Sequence, residues 1–327
     1  MGSMPDPVML EVGSLRIYYY GAAYAIGLVV VSLWIFLRRE VLGYNKGEAA
    51  EFSLVFAVGV LAGGRLFDVF LYEWSYFKEH PLAVFALWQG GMASHGVMLG
   101  AALAGAAFCF YRGKSFLALA DEVVIPGAVL LGLGRIGNHI NGEVFGSVTN
   151  LPWATGFPYA EGCRHPVALY DGLKNLLLVP ILLGVRFAYR RGGSEPPPGV
   201  LFGHFVLWYG SLRLFVDVFR EYDSYWLGVG RGQYFNLAMA LAGLSLVLLA
   251  HLLTGRRRTQ RSSNFRVINH GRQRWGASRA KMALFAVLVV SCLFIPSGWT
   301  QQALEGFEQR TTEGSPAGSC PMVTGLD

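Results

Sequence analysis

Residues 17–39 read IYYYGAAYAIGLVVVSLWIFLRR, an uncharged run of about twenty apolar and aromatic residues opened by Arg16 and closed by Arg38 and Arg39. At a helical rise of about 1.5 Å per residue, such a run spans the ~30 Å hydrocarbon core of a bilayer. No small-residue cleavage site follows it, so it is expected to stay in the membrane rather than be removed as a signal peptide. Met1, Gly2 and Ser3 ahead of Met4 read as an expression scar and are left out of the fold.

Working outward, similar runs occur at about 52–72, 92–111, 123–140, 167–189, 200–219 and 234–253. Lipid offers the backbone no hydrogen-bonding partner, and no closed-barrel alternation is visible, so each run must be helical. The expected fold is an all-α polytopic membrane protein of about seven transmembrane helices with short periplasmic loops. Composition agrees: 53% of residues are hydrophobic, 15% are charged and the mean hydropathy is +0.41, which excludes an ordinary soluble domain. The net charge of +6 would suggest nucleic acid in a soluble protein. Here the bases flank apolar runs, so they read as topology signals and no nucleic-acid partner is expected.

Those bases fix an orientation. Arg38, Arg39 and Lys46 follow the first run, Arg112 and Lys114 the third, Arg190 and Arg191 the fifth, and Arg256 to Arg258 the seventh. Every odd span then ends in the cytoplasm, and the amino terminus and the loops at about 73–91, 143–164 and 220–231 face the periplasm. The chain divides into an amino-terminal segment (1–14), a seven-helix core (15–255), a basic cytoplasmic linker (256–281), and an apolar segment with a polar tail (282–327). That last segment reads as an eighth helix or interfacial stretch, as a lipobox-like segment ending in Val289-Val290-Ser291-Cys292, or as a fusion product. Four cysteines without a CxxC pair suggest no metal site, no redox motif and no structural disulfide.

Ionisable residues inside spans are costly and need a partner or a job. Arg65 stands with Asp68 three residues on, the spacing of a local ion pair. His95 opens the third run, and alone it reads as a packed or hydrogen-bonded group as readily as a catalytic one. The densest constellation is 134–146: Arg135, Asn138 and His139 share a helical stripe with Gly142, followed by Asn141, Glu143 and Gly146. A cation, an amide and an imidazole beside glycines make an anion site in prospect. Arg213 and Asp217 sit one turn apart, again the spacing of an ion pair.

The run 134–146 resembles the signature of the prolipoprotein diacylglyceryl transferase family of bacterial inner-membrane enzymes. Further matches follow in chain order: Tyr20-Gly21, Gly63-Gly64-Arg65, Gln89-Gly90-Gly91-Met92 leading to His95-Gly96, His165-Pro166 with Leu169-Tyr170, and Tyr209-Gly210 with Arg213. Together they cover about residues 15–253. The resemblance implies transfer of the diacylglyceryl group of phosphatidylglycerol to a lipobox cysteine of prolipoproteins, releasing glycerol phosphate, with membrane lipids as surroundings and no cofactor or metal. It implies functional roles for Tyr20, Arg65, His95, Arg135, Asn138, Glu143, Gly146 and Arg213. With the charged and polar residues noted above, the expected catalytic set is His95, Arg135 and Arg213, and the expected substrate-binding set is Tyr20, Arg65, Asn138, Asn141, Glu143, Gly146 and Asp217. Four positions depart from the family pattern: His139 replaces the usual phenylalanine, Val97 a glycine, and Asp171 and Asp217 glutamates. The loop 147–164 is also short. A paralogue with changed lipid or substrate choice, and a non-enzymatic phospholipid-binding or flipping protein, are the alternatives.

Overall fold

All seven apolar runs fold as helices in the computed structural model, which describes residues 8–13, 15–71, 73–140, 144–157, 160–221, 225–226, 229–258 and 275–296. A hairpin of β1 (Val8–Val12) and β2 (Leu15–Tyr18) leads into α1 (Tyr19–Leu37) and α2 (Lys46–Leu71). The short α3 (Trp74–Phe77) and two 3-10 turns lead to α4 (Ser94–Arg112) and α5 (Phe116–Ile140). The hairpin β3 (Thr155–Phe157) and β4 (Ala160–Arg164) precedes α6 (Val167–Arg191) and α7 (Val200–Val216). A third hairpin, β5 (Tyr225–Trp226) with β6 (Val229–Gly230), opens α8 (Arg231–Arg258), and α9 (Trp275–Cys292) ends the described chain.

Among the described residues, five helices are long and apolar enough to cross a membrane: α1, α2, α5, α6 and Gly232–Leu253 within α8. The apolar stretch Gly96–Arg112 of α4 is shorter, and α7 has 17 residues. Among the described residues, three short antiparallel hairpins accompany the helices of this all-α architecture. Cys163, in β4, is disulfide-bonded, which corrects the expectation that no cysteine would pair.

Two groups of helices form separate compact bodies. One is built on α1, α2, α4 and α9, the other on the part of α5 from Val124 onward with α6, α7 and α8. In the first, Asn45 and Glu48 start α2 with a reciprocal capping box: the Asn45 N–H donates to the Glu48 carboxylate at 2.8 Å and the Glu48 N–H to Asn45 Oδ1 at 2.9 Å. Gly59 and Gly63 of α2 face Gly96 and Gly100 of α4 so closely that a side chain at any of the four would strike the opposing backbone. Small residues four apart are how helices approach where apolar burial alone gives no preference for protein over lipid.

The bases that follow α1 and α4 are paired with carboxylates. Arg38 grips Glu122 through Nε (3.0 Å) and Nη2 (3.1 Å), Arg112 grips Glu51, and Lys114 meets Glu48 at 3.3 Å. Lys281 of α9 also binds Glu51. In the second group, Gly203 and Gly210 of α7 and Gly243 of α8 allow close backbone approach, as do Gly132 of α5 and Gly172 of α6. These contacts bring together the charged side chains described next.

Candidate active site

The centre of the second group is Asp171, a carboxylate in the first turns of α6 that is only 1% exposed. Three cations from three places reach it. Arg135 of α5 contacts Oδ2 through Nε at 2.8 Å, Arg213 of α7 contacts Oδ1 through Nη1 at 2.7 Å, and Lys174, one turn along α6, contacts Oδ1 at 2.9 Å. Arg213 Nε also meets Asp217 Oδ1 at 3.0 Å, and Asn236 Nδ2 of α8 donates to Asp217 Oδ2 at 2.5 Å. The Lys174 ammonium lies 3.5 Å from the centroid of the Tyr209 ring, a cation–π contact.

Helix packing makes this assembly possible. A Cβ added at Gly172 would meet the Gly132 carbonyl at 3.1 Å and Arg135 Cβ at 3.4 Å, so the bare glycine lets α5 come close and bring Arg135 to the neighbouring Asp171. Gly210 of α7 meets the backbone of Asn236 and Ala240, which sets Arg213 and Asp217 opposite Asn236.

Three cations share two carboxylates, so this cluster carries an excess positive charge in a medium where charge is expensive. The excess is most accessible on Arg135, whose side chain is 35% exposed against 10% for Arg213 and 3% for Lys174. Arg135 Nη1 also donates to Asn138 Oδ1 at 3.4 Å, the helical stripe read from the sequence. A guanidinium held from one side and open on another is suited to an oxyanion, especially a phosphate that accepts two parallel N–H donors.

Arg65 is placed differently. In the first group its guanidinium donates to the carbonyls of Ala83 (2.6 Å), Val84 (2.9 Å), Ala86 (3.3 Å), Gly90 and Gly91 (3.2 Å), and it lies over the Phe77 ring. It therefore organises the backbone of residues 83–91. Tyr20 hydrogen-bonds Tyr24 at 3.0 Å and donates to the Met92 carbonyl at 3.1 Å, so it fixes the next part of the same loop.

Gly146 lies where a side chain would collide with the Phe219 carbonyl and with Val167. Its N–H donates to the His165 carbonyl at 2.9 Å. His165 meets the Tyr170 hydroxyl at 3.2 Å, and burial pushes its imidazole below the usual histidine range, so it is neutral near pH 7. The side chain of His95, on α4, and residues Asn141, Gly142 and Glu143 lie outside the described residues.

Of the residues singled out from the sequence, Arg135, Asn138, Arg213 and Asp217 are brought together, and Arg65 and Tyr20 share a second neighbourhood. Sequence reasoning noted Asp171 only as a departure from a pattern, and it passed over Lys174 and Asn236. The signal for the first two was present: Asp171 and Lys174 stand three residues apart inside an otherwise apolar run, the spacing of an intramembrane ion pair.

Comparison with known proteins places the chain in a family. Residues 7–249 match the model of the family described as prolipoprotein diacylglyceryl transferase. The phosphatidylglycerol–prolipoprotein diacylglyceryl transferase of Geobacter sulfurreducens is 38% identical over 255 residues, covering 75% of this chain and 95% of its own. The protein of the same name from Nitrosomonas europaea is 37% identical over 264 residues, covering 77% and 92%. That from Methylobacillus flagellatus is 36% identical over 257 residues, covering 75% and 96%. With a family match over most of its length and relatives spanned almost end to end, the chain belongs to the prolipoprotein diacylglyceryl transferase family.

Proposed function

We propose that this chain is the transferase that moves the diacylglyceryl group of phosphatidylglycerol onto the lipobox cysteine of prolipoproteins, and that Arg135 is its principal contact with the departing phosphate. The family match supports the reaction, and the cluster around Asp171 supports the assignment of Arg135. In that reaction the lipobox sulfur forms a bond to the glyceryl carbon, the bond from that carbon to the phosphate oxygen breaks, and glycerol phosphate leaves with the electron pair.

Energetics decides where catalysis must act. Forming a thiolate from a thiol of pKa about 8.5 costs about 2 kcal/mol at pH 7. Enzymes remove about 8 kcal/mol or more from a barrier, so alignment and leaving-group stabilisation carry the larger share. Charge accumulates on the leaving phosphate during the step, so a fixed cation stabilises the transition state more than the bound lipid. Arg135 supplies that cation at the accessible edge. Arg213 and Lys174, held by Asp171 and Asp217, add positive potential behind it. Asn138, Asn141 and Glu143 orient the head group and Arg135, and His95 acts as helper base or positions the lipid. Arg65, Tyr20 and Gly146 act through the loops they hold.

The same reading puts seven spans in the bacterial inner membrane, with the amino terminus and the reaction on the periplasmic side. The bases after the first, third, fifth and seventh spans support this. A lipobox peptide incubated with the purified chain in phosphatidylglycerol vesicles is expected to gain a diacylglyceryl mass. Lipid movement between leaflets with no adduct would establish a flippase instead. Arg135→Ala and Arg213→Ala are expected to lose more turnover than His95→Ala at equal protein level, and the reverse ranking would exchange their roles.

A further inference from the structure

Helix α6 begins after Pro166 with no side-chain hydrogen bond to cap it, yet in its second turn it holds Asp171, the carboxylate that gathers three cations. A contact across the helix entry stands in for the cap. His165 precedes the N-cap and Tyr170 is the fourth helical residue; His165 Nδ1 and the Tyr170 hydroxyl are 3.2 Å apart. Both rings pack on Phe219, with centroids at 4.9 and 5.4 Å. A contact between these two helix positions fixes the angle at which the chain enters the helix. Asp171 is the next residue along.

The same hydroxyl has a second partner. Trp153 Nε1 donates to it at 2.7 Å. Trp153 stands on the turn 151–154, which has Pro152 at its second position and is closed by the Ala154 N–H donating to the Leu151 carbonyl at 2.9 Å. The tryptophan is 58% exposed, so the hydrogen bond rather than burial sets the direction of its indole. An indole nitrogen can only donate, so the Tyr170 oxygen accepts from it, and the hydroxyl hydrogen is left for the lone pair on His165 Nδ1. A ring that served only to pack on Phe219 would need no hydroxyl.

The histidine is tied in turn to the end of the run 134–146. Its carbonyl accepts from the Gly146 N–H, its own N–H donates to the Ser147 carbonyl at 3.0 Å, and Arg164 Nη1 donates to the Gly146 carbonyl at 3.1 Å. That run carries Arg135 near its start and is pinned at its end by His165, while the carboxylate that holds Arg135 follows Tyr170. All of these residues belong to one compact body.

We propose that Trp153, Tyr170 and His165 are positioning residues for the transfer: one relay that locks the loop 147–164 to the first turns of α6 and so sets Asp171, and through it Arg135, for the departing phosphate. This rests on the transferase reading above. The three act through Asp171 and not on the reacting atoms. A guanidinium shifted by a fraction of an ångström loses alignment with the leaving oxygen, so the effect falls on turnover rather than on substrate affinity.

The test follows transfer to a lipobox peptide in phosphatidylglycerol vesicles, recording turnover, KM for the peptide and the thermal midpoint of each full-length variant. Tyr170→Phe keeps the ring and removes the hydroxyl, and Trp153→Phe removes the indole N–H. Each is expected to lose about three- to tenfold in turnover, with KM within about twofold and the midpoint close to the parent's. The double variant is expected to lose no more than Tyr170→Phe alone, because a single relay is broken once. His165→Asn keeps an acceptor where Nδ1 stands and is expected to retain more turnover than His165→Leu. Losses that multiply in the double variant would mean two independent effects and overturn the relay. Unchanged turnover with a lowered midpoint would leave only a structural staple, and a raised KM confined to Trp153→Phe would make the indole a peptide contact; either result overturns the proposal while the transferase reading stands. If the parent chain itself forms no adduct, the transferase reading fails and takes the proposal with it.

Discussion

At the scale of single residues, Asp171 decides most. It is the one carboxylate that Arg135, Arg213 and Lys174 share, and removing a partner from a buried ion pair costs about 3–5 kcal/mol because the remaining charges are left uncompensated. Asp171→Asn should therefore lower the thermal midpoint of the detergent-solubilised protein sharply, whereas Asp171→Glu, which keeps the charge, should stay close to the parent. Equal midpoints for the two variants would show that the charge at this position is not what holds the cluster. Arg135→Lys tests a different property. The charge remains but the planar fork that takes two phosphate oxygens is lost. A charge-assisted hydrogen bond is worth about 1.5–3 kcal/mol, so turnover should fall roughly ten- to hundredfold while the thermal midpoint moves little. The stripe of Arg135 and Asn138 was legible in the sequence because both lie on one helix at i and i+3. The meeting of Arg135 with Asp171 was not, since residues on different helices leave no trace in either helix's periodicity.

At the scale of elements, close helix approach fixes where the charges stand, and the glycines divide into two kinds. Gly210 is filled from outside: an added side chain would meet the backbone of Asn236 and Ala240 on α8. Gly210→Leu should force α7 and α8 apart at an overpacking cost of about 1–3 kcal/mol, break the bond from Asn236 to Asp217, and lower both midpoint and turnover. Gly134, in the stretch that resembles the family signature, has nothing within 4 Å of an added Cβ. Gly134→Ala should therefore leave stability unchanged or raise it by about 0.4–1 kcal/mol through the unfolded chain. A loss of turnover in that stable variant would mean that the empty space belongs to a substrate, and unchanged turnover would mean that it does not. The helices themselves were legible because length and apolarity dictate them in lipid. The three hairpins were not, because strands of two to five residues are too short to show a period of two.

At the scale of the whole molecule, the proposed orientation, which end of each helix meets the cytoplasm, rests on charge. Arg38, Arg112 and Lys114 are each paired with a glutamate at the end of their helix, so their net contribution to local charge is close to nothing. If orientation followed net charge, these pairs would erase the signal. Orientation instead follows the count of lysines and arginines in short loops, with acidic residues contributing little, because the bases resist translocation before the folded pairs exist. The loop after α6, with Arg190 bound to Glu195, follows the same logic. Lys78, just past α3, and Ser194, just past α6, are both exposed and fall on opposite sides under this reading. A membrane-impermeant maleimide added to intact spheroplasts should label Lys78→Cys above the background of the parent chain, and should label Ser194→Cys only after the membrane is permeabilised. Labelling of Ser194→Cys in intact cells would invert the orientation, move the start of α1 and the end of α9 to the cytoplasmic side, and separate the proposed chemistry from the exported precursors it would serve.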